Sequence, residues 1–89
     1  MIIVAGHLKI ATGSREDFLE RSLDAIGTAR TAPGCLDYSV SPDPIDVDRV
    51  NVCEIWRDAD ALEAFRGSGI DDAQGLLVVA AAVGQFDVN

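Results

Sequence analysis

Apolar and polar positions alternate strictly at the start of this chain. Ile2, Val4, Gly6, Leu8 and Ile10 share one face, and Ile3, Ala5, His7 and Lys9 the other, which predicts a strand from Ile2 to Ile10. The period then changes. Phe18, Leu19, Leu23, Ile26 and Ala29 recur at helical spacing opposite Arg15, Glu16, Glu20 and Asp24, which predicts a helix from Arg15 to about Ala32. Ser14 suits its N-cap, with Asp17 at the third helical position, and Pro33-Gly34 stops it. Alternation returns in Cys35 to Ser41, with Leu36, Tyr38 and Val40 facing one way and Cys35, Asp37, Ser39 and Ser41 the other. Pro42 and Pro44 make 42–48 a loop. A third strand, Arg49 to Trp56, points Val50, Val52, Glu54 and Trp56 to one side and Asn51, Cys53 and Ile55 to the other. Asp58 caps a short second helix that Gly67 ends, residues 68–75 form a flexible connection or a single helical turn, and a last strand lies between Val79 and Val88, centred on 83–88.

The order strand, helix, strand, strand, helix, strand predicts a ferredoxin-like α+β sandwich, with two helices on one face of a four-stranded antiparallel sheet. The other face would carry Cys35, Asp37, Ser39, Asn51, Cys53 and Ile55. That mixture is too apolar for water and too polar for a deep core. A second copy of the chain suits it as a cover.

Composition narrows the function. Eighty-nine residues read as one domain, 1–89, with 48% apolar residues for a core. The formal net charge of -8 opposes binding to nucleic acid or to anionic membranes. The longest apolar run, Leu76 to Val83, is too short for a membrane span, and the N-terminus lacks a basic targeting segment. A cytoplasmic location is expected. Cys35 and Cys53 have no CxxC spacing and no neighbouring histidine, so no metal site is expected and reduced thiols are. Asp43, Asp46 and Asp48 crowd one loop without EF-hand spacing, and a solvated loop is the expectation.

Few residues carry chemistry. No serine sits in a nucleophile elbow, and His7, the lone histidine, lies on the face away from Trp56, where a satisfied interface histidine is the expectation and a proton shuttle or ligand contact the alternative. No glycine pattern offers a nucleotide or flavin a seat. What remains is a cleft between sheet and helices. Tyr38, Glu54 and Trp56 would face it from the sheet, and Phe18, Leu62 and Phe65 from the helices, with Val52 completing the apolar wall. Such a cleft suits a flat, hydrophobic, hydroxylated small molecule, and Glu54 among valines is the candidate proton acceptor.

Several segments together resemble the antibiotic biosynthesis monooxygenase (ABM) family, part of the dimeric α/β-barrel superfamily. They are Ile2-Ile3-Val4, Gly13 with Phe18, Ala32-Pro33-Gly34-Cys35-Leu36 with Tyr38, Glu54 with Trp56, and Ala61-Leu62 with Ala64-Phe65; Phe86-Asp87-Val88 resembles the closing strand. The resemblance implies a homodimer whose two sheets form a barrel, with a ligand cavity between each sheet and its helices. It also implies, for some members, oxidation of hydroquinones or anthrones by molecular oxygen with no metal, flavin or other cofactor. Two departures stand out. The histidine of the haem-degrading branch is missing from Ser68-Gly69-Ile70-Asp71, and Asn51 points away from the Trp56 face. Haem degradation is therefore disfavoured.

The leading expectation is a cofactor-independent monooxygenase acting on a phenolic, quinol or anthrone-type aromatic. Trp56 would wall the cavity and donate its indole N–H, Tyr38 would orient a substrate oxygen, and Glu54 would accept a proton. Phe18, Val52, Leu62 and Phe65 would hold the substrate. The alternatives are a dimeric small-ligand binding protein without chemistry, and an isomerase or cyclase using the same cavity. On this reading Trp56→Ala impairs ligand binding more than folding.

Overall fold

A computed structural model describes residues 1–67 and 77–88. Its elements are β1 (Ile2–Ile10), α1 (Arg15–Thr31), β2 (Cys35–Pro42), β3 (Arg49–Trp56), α2 (Ala59–Arg66) and β4 (Val78–Asp87). The strands form one antiparallel sheet in the order β2-β3-β1-β4, the ferredoxin-like arrangement. The last strand is longer than its sequence pattern suggested, and the expected connection at 68–75 lies outside the described residues. Among the described residues no helix is long and apolar enough to cross a membrane.

Register makes the two faces. Ile2 pairs with Trp56, Val4 with Glu54, Gly6 with Val52 and Leu8 with Val50, so the alternation of β1 and that of β3 reinforce each other. Tyr38 pairs with Glu54 and Val40 with Val52, extending the helix-facing side into β2. Gly6 is required where it stands. A Cβ there would collide with the Ala82 carbonyl oxygen, so a side chain would force β1 and β4 apart.

Two expectations about facing are corrected. The register of β2 shifts between Cys35 and Asp37, a β-bulge that leaves Leu36 without a partner and 60% exposed. The extra residue turns Cys35 to the helix side, where it packs against the core. Leu36 therefore leaves the inner face and Cys35 leaves the bare one. On α1 the buried positions are Phe18, Ser22, Ala25 and Ala29, while Leu23 is 63% exposed. Leu23 stands about 140° round the helix axis from Phe18, too far to share its face.

The helix ends are only partly as expected. The Asp58 carboxylate accepts the Ala61 N–H at 2.8 Å and starts α2. Ser14 occupies the N-cap of α1, yet its hydroxyl makes no capping bond.

The interior holds two separate apolar clusters. One gathers Ile2, Val4, Ala29, Trp56, Ala61, Leu62 and Phe65; the other gathers Ile10, Phe18 and Val50, with Leu8, Val40 and Val78 packed beside them. The acidic loop after β2 is tied down rather than simply solvated. The Asp43 carboxylate accepts the N–H of Ile45 and Asp46 and the side-chain amide of Asn51, which hold it down at about 2. Lys9 pairs with Asp46, and Arg15 donates to the carbonyls of Asp43 and Asp46.

Truncating the largest buried side chain tests this packing. Trp56 has no solvent exposure and sits in the first cluster, its ring 5.1 Å from that of Phe65. Trp56→Ala should cost roughly 3–5 kcal/mol, enough to unfold so small a domain. Urea denaturation measures it, and a loss below about 1 kcal/mol would show that the indole is not a core element. The earlier expectation of a variant that folds well and merely binds poorly is thereby reversed.

Candidate functional site

Between the two clusters the helices and the sheet do not meet. The buried face of α1 is large at Phe18 but small at Ser22, Ala25 and Ala29, and β1 offers no side chain at Gly6 between Val4 and Leu8. A cavity of about 340 Å³ results. That volume lies at the small end of ligand pockets. Val4, Leu8, Val40 and Val52 line it from the sheet, Phe18 and Ile26 from α1, and Val78 and Val83 from β4.

The polar groups on this cavity are few. Tyr38 and Glu54, directly opposed on β2 and β3, both line it, and so do Ser22, Ser39 and Arg66. The Ser22 hydroxyl is turned back on its own helix, donating to the Phe18 carbonyl at 2.8 Å. Burial pushes the Tyr38 phenol up to about 12, aided by the negative charge of Glu54 and by Cys35; Arg66 acts the other way. The phenol is therefore neutral across physiological pH and can donate or accept a hydrogen bond.

Glu54 is held in place by a neighbour two residues along. The Trp56 indole Nε1–H donates to Glu54 Oε1 at 3.0 Å. Hydrogen bonds to a charged acceptor are the stronger kind, so this one fixes the carboxylate's rotamer. The indole N–H expected to be free for a ligand is thus already engaged, and Trp56 stands behind the cavity wall rather than on it. Leu62 and Phe65 stand there too, in the first apolar cluster. Phe65 meets Tyr38 edge-on, with ring centroids 5.7 Å apart.

Of the residues singled out in the sequence, Tyr38, Glu54, Phe18 and Val52 come together around the cavity, while Trp56, Leu62 and Phe65 support it from behind. Sequence reasoning missed Arg66, which closes α2 and donates to Gln85 Oε1 on β4 at 3.3 Å. Its neighbour Phe65 attracted the assignment, although a helix places consecutive residues about 100° apart. Burial pushes the Cys35 thiol up, as do the charges of Asp37 and Glu54, so it remains a thiol. Cys53, paired with Ala5 and Ser39 on the bare face, is on the opposite side of the sheet, and both cysteines are free.

The chain's one tyrosine makes the cavity's electrostatics measurable. Alkaline ultraviolet titration should give a phenolate midpoint near 12, against the ordinary 10.0. A phenol pKa raised by folding stabilises the fold below pH 10, and that contribution is lost as pH rises through about 12. Glu54→Gln should move the midpoint down, because the carboxylate charge helps to raise it. A wild-type midpoint at 10 would place Tyr38 in water rather than on the cavity.

Known proteins agree with this architecture. Residues 1–71 match the antibiotic biosynthesis monooxygenase family. Over 62 residues the chain is 34% identical to the uncharacterized protein sll1783 of Synechocystis, and the match spans 70% of this chain but only 42% of that relative's length. Among solved structures, PA3566 from Pseudomonas aeruginosa superposes with a TM-score of 0.84 at 21% identity, covering 96% of this chain and 90% of that one. Rv0793 from Mycobacterium tuberculosis gives 0.84 at 20% identity, covering 99% and 94%. At such identities the superpositions speak for the fold alone. The match that spans most of the sequence goes further, and the chain belongs to the antibiotic biosynthesis monooxygenase family.

Proposed function

We propose that this protein is a cofactor-independent monooxygenase that oxidises a phenolic or quinol-type aromatic with molecular oxygen inside the 340 Å³ cavity. The observation that carries the reading is the opposed pair of Tyr38 and Glu54 in a mostly apolar chamber, with the carboxylate oriented by an indole N–H. A ring can lie flat against valines while its oxygen meets the neutral phenol of Tyr38. Glu54 then accepts the substrate's proton. The resulting anion passes an electron to oxygen, and recombination of the radical with superoxide forms a C–O bond to a peroxide anion, which takes the proton back from Glu54. Loss of water from a peroxide at a carbon bearing hydrogen leaves a carbonyl, with the second oxygen atom in the water. In this scheme Trp56 is a positioning residue, since it acts through Glu54.

Oxygen uptake with a panel of naphthohydroquinones and anthrones tests the proposal. Turnover is expected with at least one compound, and Glu54→Gln should lower kcat by about 10²–10⁴, the usual range for a general base. Tight binding with no uptake and no new product would instead establish a small-ligand binding protein. Product formation without oxygen uptake would establish an isomerase or cyclase.

We also propose a two-fold homodimer built on the bare sheet face. Ile3, Ala5 and His7 lie there with Ile55, and Phe86, opposite Ile3 on β4, is 56% exposed. The edge strand β4 carries no charge before Asp87, and so long and largely apolar an edge calls for a partner. Sedimentation velocity at micromolar concentration should show the dimer, and a monomer alone would refute it.

A further inference from the structure

Arg66 is a cation at the rim of an apolar cavity in a chain whose formal net charge is -8. Among the described residues it is the one basic side chain that lines this cavity. The other bases are engaged elsewhere. Lys9, Arg21, Arg49 and Arg57 pair with carboxylates, and Arg15 and Arg30 donate to backbone carbonyls. Arg66 instead donates to the neutral amide of Gln85, and among the described residues it makes no ion pair with a carboxylate. Glu54 lines the same cavity and makes no ion pair with it. The guanidinium acts on the Tyr38 phenol, which places its field at the polar end of the chamber.

An uncancelled guanidinium at a cavity mouth recognises planar anions, above all carboxylates, through paired N–H donors. The general field of this chain repels anions, so a contact charge of this kind is what would admit one. The volume of about 340 Å³ favours one or two fused rings over larger polycycles. We infer that the ligand is a mono- or bicyclic hydroxyaryl carboxylate, its acid group held by Arg66 and its hydroxyl directed to Tyr38 and Glu54. This assignment rests on the proposed use of the cavity and adds the chemical class of its occupant.

Titration calorimetry with 6-hydroxy-2-naphthoate and 2-naphthol separates the two claims. The wild-type protein should bind the carboxylate at least tenfold more tightly than the naphthol. Arg66→Gln should abolish that preference and leave naphthol affinity within about twofold, while Arg66→Lys should keep part of it. Arg57→Gln, a change at an exposed cation paired with Asp58 outside the cavity, should leave the preference intact. Circular dichroism confirms that each variant is folded. Equal wild-type affinity for both compounds, or a preference that survives Arg66→Gln, overturns the carboxylate assignment and spares the cavity. Binding of neither compound overturns both.

Discussion

The distance between α1 and the sheet is set at two points, and the cavity of this fold follows from what lies between them. Phe18 packs with Ile10 and Val50 near one end of the sheet, and Ala29 packs with Ile2 and Trp56 near the other. A helix is stiff over this length, so the span between the points cannot sag onto the strands. Ser22 and Ala25 are too small to bridge the gap, and Gly6 leaves the opposing strand without a side chain. A larger residue at Ser22 or Ala25 would fill part of the cavity, whereas one at Gly6 would collide with the β4 backbone instead. The fold thus forgoes part of its apolar burial, about 25 cal/mol for each Å² left uncovered, to keep a chamber open.

The bond between the Trp56 indole and Glu54 links that chamber to the core. Trp56 is fully buried, so its position is set by packing, and its N–H transmits that position to the carboxylate. Without the bond, Glu54 would be a flexible side chain on a valine surface. With it, the proposed proton acceptor is placed by a side chain packed in the core. The same bond satisfies an indole donor that would otherwise be buried alone, at a cost of about 1–3 kcal/mol. Stability and placement of the carboxylate are one interaction here, so substitutions of Trp56 will not separate them.

Much of this was legible because strands have a period of two. The alternation of β1 and β3 identified which residues face the helices, and the capping residue Asp58 located α2. Tyr38 was assigned to the correct face, yet Leu36 and Cys35 were not, since a bulge adds one residue and reverses parity on one side of itself. A single sequence carries little signal for a bulge. Leu23 lies outside the core for another reason: angle rather than hydrophobicity decides burial on α1, and the buried stripe runs through serine and alanine. Those small residues were also the available sign of a cavity. Arg66 escaped notice because its role depends on where α2 ends relative to β4, a tertiary relation that local spacing does not encode.

Charge placement completes the picture. Lys9, Arg15 and Arg49 gather at one corner, where they fasten the acidic loop between β2 and β3 to the ends of β1 and α1. That corner stabilises the sheet and takes no part in the cavity. Arg66 is at the end of α2, held by an amide rather than an acid. An acidic partner there would have neutralised it, and an aliphatic residue would have sealed the rim. A neutral hydrogen-bonding partner does neither: it orients the guanidinium and leaves its charge available. In a chain with fifteen acidic residues and seven basic ones, such a neutral pairing at the mouth of an apolar chamber favours an anion as the group that completes it.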